Sequence, residues 1–263
     1  MKMPLKLCAV LAFLVVGWAA WMPPVFAQDA TEIEACGGEN NWPPMSFIQS
    51  DTKEVDGLSV DVLRAIFPGP AQVRVRLRPW ARCLQDVQRN HGFGIVMSAL
   101  RNPERDQQFL FSKTYLSLSP AYVYTSARYA APPVNQLADL AHLKVCALMG
   151  ASTSYTQLPP GAVDHGANNY ASLMGKLDRG YCDVVVEMKE VMLGFAKLGL
   201  LPLDFKRYHV VALPGTEKFP LHFGVGKDHP QAVQLVERLD RGIRELQRSG
   251  KLADMVAKYQ LNR

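Results

Sequence analysis

The chain has 263 residues, of which 48% are hydrophobic, and its formal net charge is +5. The basic residues are scattered along the chain rather than grouped in blocks, which argues against a nucleic-acid partner. The sequence contains no nucleophile elbow, zinc-protease motif, Walker loop or dinucleotide-binding glycine motif. Its motifs therefore give no evidence for an enzyme.

The first residues are typical of an export signal. Lys2 and Lys6 form a positive start, an apolar stretch covers Cys8–Trp21, and the small residues before Gln28 suit cleavage. We predict a signal peptide at residues 1–27, with an uncleaved membrane anchor as the alternative. Loss of both lysines on cleavage would lower the net charge from +5 to +3.

Short apolar runs alternate with amphipathic stretches in the first half of the mature chain. They predict a strand at Ile33–Cys36, a helix at Ser59–Phe67, a strand at Val73–Leu77, a helix at Ala81–Arg89 and a strand at Ile95–Met97. This order is the βαβαβ unit of a doubly wound parallel sheet.

The same pattern starts again in the second half. Leu143–Leu148 is predicted as a strand, Ser152–Leu158 as the start of a helix and Asp183–Val186 as another strand. Gln231–Arg248 and Leu252–Tyr259 have helical spacing. Two such units in one exported chain predict two lobes with a cleft between them.

Two segments are predicted to cross between the lobes. Tyr122–Ser126 would carry the chain into the second lobe, and Phe219–Val225 would carry it back. The first lobe is therefore predicted to contain residues 28–124 and 219–263, and the second lobe residues 125–218. Two crossing strands make a hinge, and closure about a hinge is a known way to enclose a solute.

The mature chain retains four cysteines, Cys36, Cys83, Cys146 and Cys182. An even number in an exported protein indicates disulfides, and four cysteines allow three pairings. We favour Cys36–Cys83 and Cys146–Cys182, because each pair then lies within one half of the chain; buried free thiols are the alternative. Neither the cysteines nor the histidines have the spacing of common zinc sites, so we expect no metal and no cofactor.

One arginine is placed where a ligand would be expected. Arg105 follows the predicted strand Ile95–Met97, and open α/β folds bind ligands at the carboxyl ends of their strands. A guanidinium there presents planar paired donors to a carboxylate. We expect Arg105 to bind an anionic solute; a surface ion pair with Glu104 or Asp106 is the alternative.

The mature chain resembles the family 3 extracellular solute-binding proteins, the periplasmic receptors of polar amino acid ABC importers. Four segments carry the resemblance in the same order along the chain: Trp42–Ser46, Gly57–Asp61, Ser98–Ser112 and Arg244–Tyr259. The resemblance implies an α/β, two-lobed periplasmic binding protein (Venus-flytrap) fold, with a doubly wound sheet in each lobe and two crossing hinge strands.

The resemblance also implies which residues bind the ligand in the first lobe. In receptors of this family, the arginine that matches Arg105 clamps the ligand carboxylate, and the serine that matches Ser98 assists it. Aromatic side chains at the positions of Trp42 and Trp80 flank the ligand.

In the second lobe, Gly150–Thr153 resembles a small, hydroxyl-rich turn that opens a helix. Its backbone donors and the helix dipole would hold the same carboxylate. Ser152 and Thr153 are both candidates, because the register is uncertain by one residue.

The chain departs from the family at the ammonium site. Amino acid receptors usually have an aspartate at the position of Met188, which binds the ligand ammonium, and here Glu187 stands just before it. Strand alternation sends adjacent side chains to opposite faces, so Glu187 need not point inward. A carboxylate without an amine, or another small polar solute, is therefore an open alternative to an amino acid.

Together these features predict a non-enzymatic, monomeric periplasmic protein that closes around a small carboxylate-containing solute for the permease of an ABC importer. One alternative is a dehydratase-like enzyme on the same scaffold, with Glu187 as the proton donor. Another is a periplasmic partner or sensor module of an oxidoreductase or signalling system.

Overall fold

A computed structural model describes residues 33–69 and 73–259 of the chain. The predicted signal peptide at residues 1–27 lies outside these residues. Within the described ranges, no helix is both long enough and apolar enough to cross a membrane.

The strands alternate with helices along most of the chain. In order, the strands are β1 (Ile33–Gly38), β2 (Phe47–Ile48), β3 (Val55–Asp56), β4 (Val73–Arg78), β5 (Ile95–Leu100), β6 (Phe109–Phe111), β7 (Leu116–Leu118), β8 (Pro120–Thr125), β9 (Val145–Leu148), β10 (Val163–Ala167), β11 (Val184–Met188), β12 (Tyr208–Ala212) and β13 (Phe219–Gly226). The α-helices are α1 (Leu58–Ile66), α2 (Trp80–Gln88), α3 (Pro103–Gln108), α4 (Tyr170–Asp178), α5 (Lys189–Lys197), α6 (Ala232–Arg248) and α7 (Lys251–Lys258).

One sheet has the order β4-β1-β5-β13-β6, and β7 also pairs with β13. The strands β1, β4 and β5 are parallel, and β13 runs antiparallel to its neighbours. Successive residues of β1 face opposite sides, since Ala35 packs with α1 in one apolar cluster and Cys36 with α2 in another. Helices therefore cover both faces, as in a doubly wound sheet. We call this sheet with α1, α2, α3, α6 and α7 the first lobe.

A second sheet has the order β10-β9-β11-β8-β12. Here β9, β10 and β11 are parallel, whereas β8 is antiparallel to both β11 and β12. The helices α4 and α5 pack on its strands. We call this sheet with α4 and α5 the second lobe.

The chain passes into the second lobe earlier than the sequence indicated. Strand β7 ends at Leu118 in the first sheet, and β8 begins at Pro120 in the second. All six residues of β8 are buried, because the strand lies between β11 and β12. The first crossing is therefore at Ser119 rather than within Tyr122–Ser126. On the return, β13 begins at Phe219.

Both favoured disulfides are present. Cys36 of β1 is bonded to Cys83 of α2, with their Cα atoms 5.9 Å apart. Cys146 of β9 is bonded to Cys182, just before β11, with their Cα atoms 5.8 Å apart. Each bond joins elements of one lobe, which confirms the predicted pairing.

The helix predicted to begin at Ser152–Leu158 is wrong. This segment contains a single 3-10 turn at Ser154–Thr156, which ends at Gln157 with a φ of 56°. Pro159 follows Leu158, and a proline disfavours helical geometry in the residue before it. The second lobe therefore has no helix dipole at this position.

Candidate functional site

A cavity lies between the two sheets, and both lobes contribute to its wall. The volume open to the centre of a water molecule is about 60 Å³, against roughly 10–15 Å³ needed for one water. The first lobe lines it with Gly38, Asn40, Asn41, Trp42, Ser46, Trp80, Met97, Ser98, Leu100 and Arg105, and the second with Leu148, Ala151, Ser152, Tyr155, Tyr170 and Glu187. The cavity has room for a small solute.

Arg105 reaches this cavity from the short helix α3. The helix begins after Asn102, whose side chain accepts the Arg105 backbone N–H at 2.8 Å, and has a proline at its first position. The Arg105 guanidinium donates to the Leu100 carbonyl at 2.7 Å and to the Gly150 carbonyl of the second lobe at 2.8 Å. The side chain is thus fixed by backbone acceptors on both sides.

The guanidinium of Arg105 is buried, with only 6% of the residue exposed. Burial lowers the pKa of Arg105 to about 10, so the group remains a cation at neutral pH. Within the described residues no carboxylate forms a salt bridge with it: Asp106 pairs with Arg101 at 2.9 Å, and Glu104 acts on Arg105 only through a longer-range attraction that opposes the lowering of its pKa. The site therefore contains a buried positive charge that no carboxylate of the described residues contacts in an ion pair.

Trp80 touches both Arg105 and the second lobe. Its ring centroid lies 5.5 Å from the Arg105 guanidinium carbon, within the range of a cation–π contact. Its indole N–H donates to the Gly150 carbonyl at 2.9 Å. Trp80 is therefore a wall of the cavity and also a bridge between the lobes.

Ser98 lines the cavity in an uncommon backbone conformation, with a φ of 58° inside β5. Its hydroxyl donates to the Ser59 hydroxyl at 2.8 Å, and that oxygen lies 2.6 Å from the Tyr115 hydroxyl. Burial raises the pKa of Tyr115, and hydrogen bonding with Ser59 and Ser98 opposes this shift. The hydroxyl proton of Ser98 is thus used inside the first lobe.

The two hydroxyl candidates of the second lobe lie in different surroundings. Ser152 is buried and lines the cavity, and its oxygen lies 3.4 Å from the Asn102 amide nitrogen. Thr153 is half-buried and does not line the cavity, and its carbonyl accepts from Thr156. With no α-helix beginning here, the expected helix-dipole contribution to carboxylate binding is wrong.

Glu187 enters the cavity from the end of β11. One of its oxygens accepts the Met188 backbone N–H at 2.8 Å, and the other accepts the Tyr170 hydroxyl at 2.5 Å. Burial raises the pKa of the Glu187 carboxyl, while hydrogen bonds from Tyr170, Met188 and Trp42 oppose the rise. Met188 is fully buried in the apolar core, as alternation along the strand requires.

The sequence model of a protein family, the bacterial extracellular solute-binding proteins, family 3, matches residues 35–262 of the chain. The chain belongs to this family. A comparison with curated protein sequences finds no match.

Solved structures share the fold of this family 3 solute-binding protein. An amino acid ABC transporter substrate-binding protein from Streptococcus pneumoniae, bound to L-arginine, is 17% identical with a TM-score of 0.71, over 87% of this chain and 94% of that one. A histidine kinase sensor domain is 20% identical with a TM-score of 0.71, over 88% and 96%. An ancestral amino acid-binding protein, called a precursor of cyclohexadienyl dehydratase, is 19% identical with a TM-score of 0.67, over 87% and 95%. These matches establish the two-lobed fold of periplasmic binding proteins.

Two tyrosines that were not predicted from the sequence, Tyr155 and Tyr170, line the solute-binding protein's cavity. Burial raises the pKa of both Tyr155 and Tyr170, and the nearby Glu187 carboxylate adds to the rise. Tyr170 is the first residue of α4, whose N-cap Asn169 accepts the Ser172 N–H at 2.7 Å. The Asn168-Asn169 pair was a helix-start signal that could have placed Tyr170 at the cleft edge of the sheet.

Trp42 completes the cavity wall of this solute-binding protein from the loop after β1. Its backbone forms an isolated bridge with Ser46, and both residues line the cavity. Among the described residues, no group of three or more histidine, cysteine or carboxylate side chains could hold a metal ion.

Proposed function

We propose that this protein is a periplasmic receptor that encloses a small carboxylate-containing polar solute, an amino acid or a related compound. Its partner is the permease of an ABC importer, and it works as a monomer. The observation that carries the proposal is the buried guanidinium of Arg105 at the cavity wall.

The hydrogen-bond inventory of Arg105 supports a carboxylate ligand. A guanidinium has five N–H groups in a planar fork, and the Leu100 and Gly150 carbonyls each take one. A buried cation needs a counter-charge, because removing a charge from water is costly unless it is paired. A solute carboxylate would supply that counter-charge and accept the remaining N–H groups.

The surroundings of Glu187 support a solute that also carries an amine. Its carboxyl lies on the second-lobe side of the cavity and accepts three hydrogen bonds from the protein, from the Tyr170 hydroxyl, the Met188 N–H and the Trp42 side chain. An ionised carboxylate has about four lone-pair sites, so about one acceptor position remains for an ammonium group. Glu187 would thus take the part that the aspartate at the Met188 position plays in related receptors.

The comparisons with solved structures support a role in solute import. The Streptococcus pneumoniae relative in fold is a substrate-binding protein of an amino acid ABC transporter. The family is extracellular, and we propose that this protein acts in the periplasm after removal of the signal peptide predicted at residues 1–27.

The proposal is tested by identifying the bound solute. Native mass spectrometry of freshly purified protein is expected to detect a co-purified carboxylate. Thermal unfolding with the identified compound, and with L-arginine and the other common L-amino acids as a panel, should show stabilisation that Arg105→Ala abolishes. The matched control is Arg89→Ala, since Arg89 is exposed and outside the cavity. Unchanged stabilisation in Arg105→Ala would refute the assignment.

A dehydratase-like activity is the second candidate, and the environment of Glu187 is the observation that favours it. A buried carboxyl with a raised pKa, bonded to the Tyr170 hydroxyl, can hold a proton for a leaving group. Incubation with prephenate or arogenate would show turnover that Glu187→Gln removes. Absence of turnover in the wild-type protein rejects this candidate.

A further inference from the structure

Polar side chains of the first lobe reach across the cavity rim to the second lobe. In each of these hydrogen bonds, the first lobe donates an N–H and the second lobe accepts. The pairs are Asn40 to the Asn168 carbonyl, Trp80 to the Gly150 carbonyl, Asn102 to the Ser152 hydroxyl and Arg105 to the Gly150 carbonyl. These hydrogen bonds join the two lobes of the same chain directly, without a solute between them.

The Gly150 carbonyl is the centre of this set. It accepts from Trp80 at 2.9 Å and from Arg105 at 2.8 Å. A carbonyl oxygen has two lone pairs, so both donors are satisfied at one atom. One of the donors is a cation, and a hydrogen bond from a charged donor is stronger than one between neutral groups.

The turn after β9 presents this carbonyl to the first lobe. Ala151 N–H donates to the Leu148 carbonyl at 3.0 Å, which closes the turn around Gly150. Gly150 has a φ of 75°, a conformation that favours glycine. A Cβ at Gly150 would lie 3.1 Å from Cδ1 of Trp80, closer than an ordinary contact. The close approach of Trp80 therefore depends on the missing side chain.

We propose that Gly150, Trp80 and Arg105 form a latch that closes the two lobes without a solute. Both hydrogen bonds exist only when the lobes are together, so they shift the equilibrium between open and closed forms toward the closed one. The guanidinium of Arg105 then has two uses: one Nη2 N–H holds the second lobe, while the N–H groups not given to backbone remain for a ligand.

The latch predicts a closed majority in solute-free protein. A closed majority does not depend on which solute is bound. The latch can therefore be refuted while the proposed function stands, and the proposed function can be refuted while the latch stands. The protein is freed of solute by unfolding in guanidinium chloride with its disulfides intact, dialysis and refolding. Small-angle X-ray scattering then compares its radius of gyration with that of the Trp80→Phe variant, which keeps the ring and loses the N–H.

The expected result is a compact wild-type protein and a larger radius of gyration in Trp80→Phe. Tyr181→Phe is the matched control, because it changes an exposed aromatic ring of the second lobe away from the cavity and should leave the radius unchanged. If circular dichroism shows that Trp80→Phe is unfolded, Arg105→Lys takes its place, since a lysine cannot donate to the Leu100 and Gly150 carbonyls in the same fork geometry.

Two results would overturn the latch. One is a solute-free wild-type protein that is already as extended as the variant. The other is a folded variant that remains as compact as the wild-type protein.

Discussion

The two lobes offer opposite chemistry to the cavity between them. The first lobe contributes the buried cation of Arg105 and the indole of Trp80, both of which donate hydrogen bonds. The second lobe contributes the Gly150 carbonyl and the buried carboxyl of Glu187, both of which accept. Under the proposed function, the carboxylate of the solute would face the first lobe and its amine would face the second.

Each lobe also contains one disulfide next to its part of the site. Removal of these disulfides is expected to give the largest losses of stability. Cys36–Cys83 joins β1 to α2, which begins with Trp80, and Cys146–Cys182 joins β9 to β11, which ends near Glu187. Their sequence separations of 47 and 36 residues predict losses of about 4 kcal/mol each in the free energy of unfolding by the chain-entropy model.

The measurement is denaturant unfolding of the two Cys→Ser double variants, each serving as the control for the other. Similar losses would indicate lobes that are equally dependent on their cross-links. A loss near zero in one lobe would show that its packing alone holds its side of the cavity.

The next largest effect is expected on solute binding, and it distinguishes recognition of the solute's amine from recognition of its carboxylate. Glu187→Gln is expected to weaken binding of an amine-bearing solute by about 1.5–3 kcal/mol, roughly 10- to 150-fold, because it removes a charged acceptor. Binding of the same solute without its amine should be unchanged. Isothermal titration calorimetry with both compounds gives the comparison, and an equal loss for both would contradict the assignment of Glu187 to the amine.

A smaller effect is expected from the hydroxyl that supports Glu187. Tyr170→Phe removes the hydrogen bond to the carboxyl and keeps the ring, which packs 4.5 Å from Phe195. We expect a loss of about 1 kcal/mol in solute binding. Tyr181→Phe is the control, and titration calorimetry of both variants measures the difference.

The smallest effect is a pH dependence of stability. Burial raises the pKa of Glu187 above its usual value, so the folded protein holds that proton more tightly than the unfolded chain does. The stabilisation is complete below the unfolded pKa and is lost as the pH rises through the folded pKa. Denaturant unfolding across this range should show wild-type stability declining relative to Glu187→Gln. A constant difference would contradict the raised pKa.

The sequence predicted most of the strands and helices and part of the candidate site. The first lobe was predicted well, because its apolar runs and amphipathic helices have clear periods and β1, α1, β4, α2 and β5 follow one another without interruption. The family resemblance and the position of Arg105 after a strand both pointed to the cavity. The disulfides followed from the compartment and the even number of cysteines.

The second lobe was predicted less well for physical reasons. Strand β8 is an interior strand of its sheet with all six residues buried, and its largely apolar sequence resembles that of a crossing segment, so pattern alone misplaced the boundary. The helix expected after Ser152 fails because Pro159 disfavours helical geometry before it and Gln157 turns the backbone. The bond of Trp80 and Arg105 to Gly150 spans 70 and 45 residues, a distance over which no local pattern carries information.

A crystal structure of the protein with its identified solute tests the proposed function directly. We expect a carboxylate oxygen of the solute within hydrogen-bond distance of the Arg105 guanidinium, with any amine toward Glu187. A solute whose carboxylate lies against the second lobe, with no contact to Arg105, would contradict it.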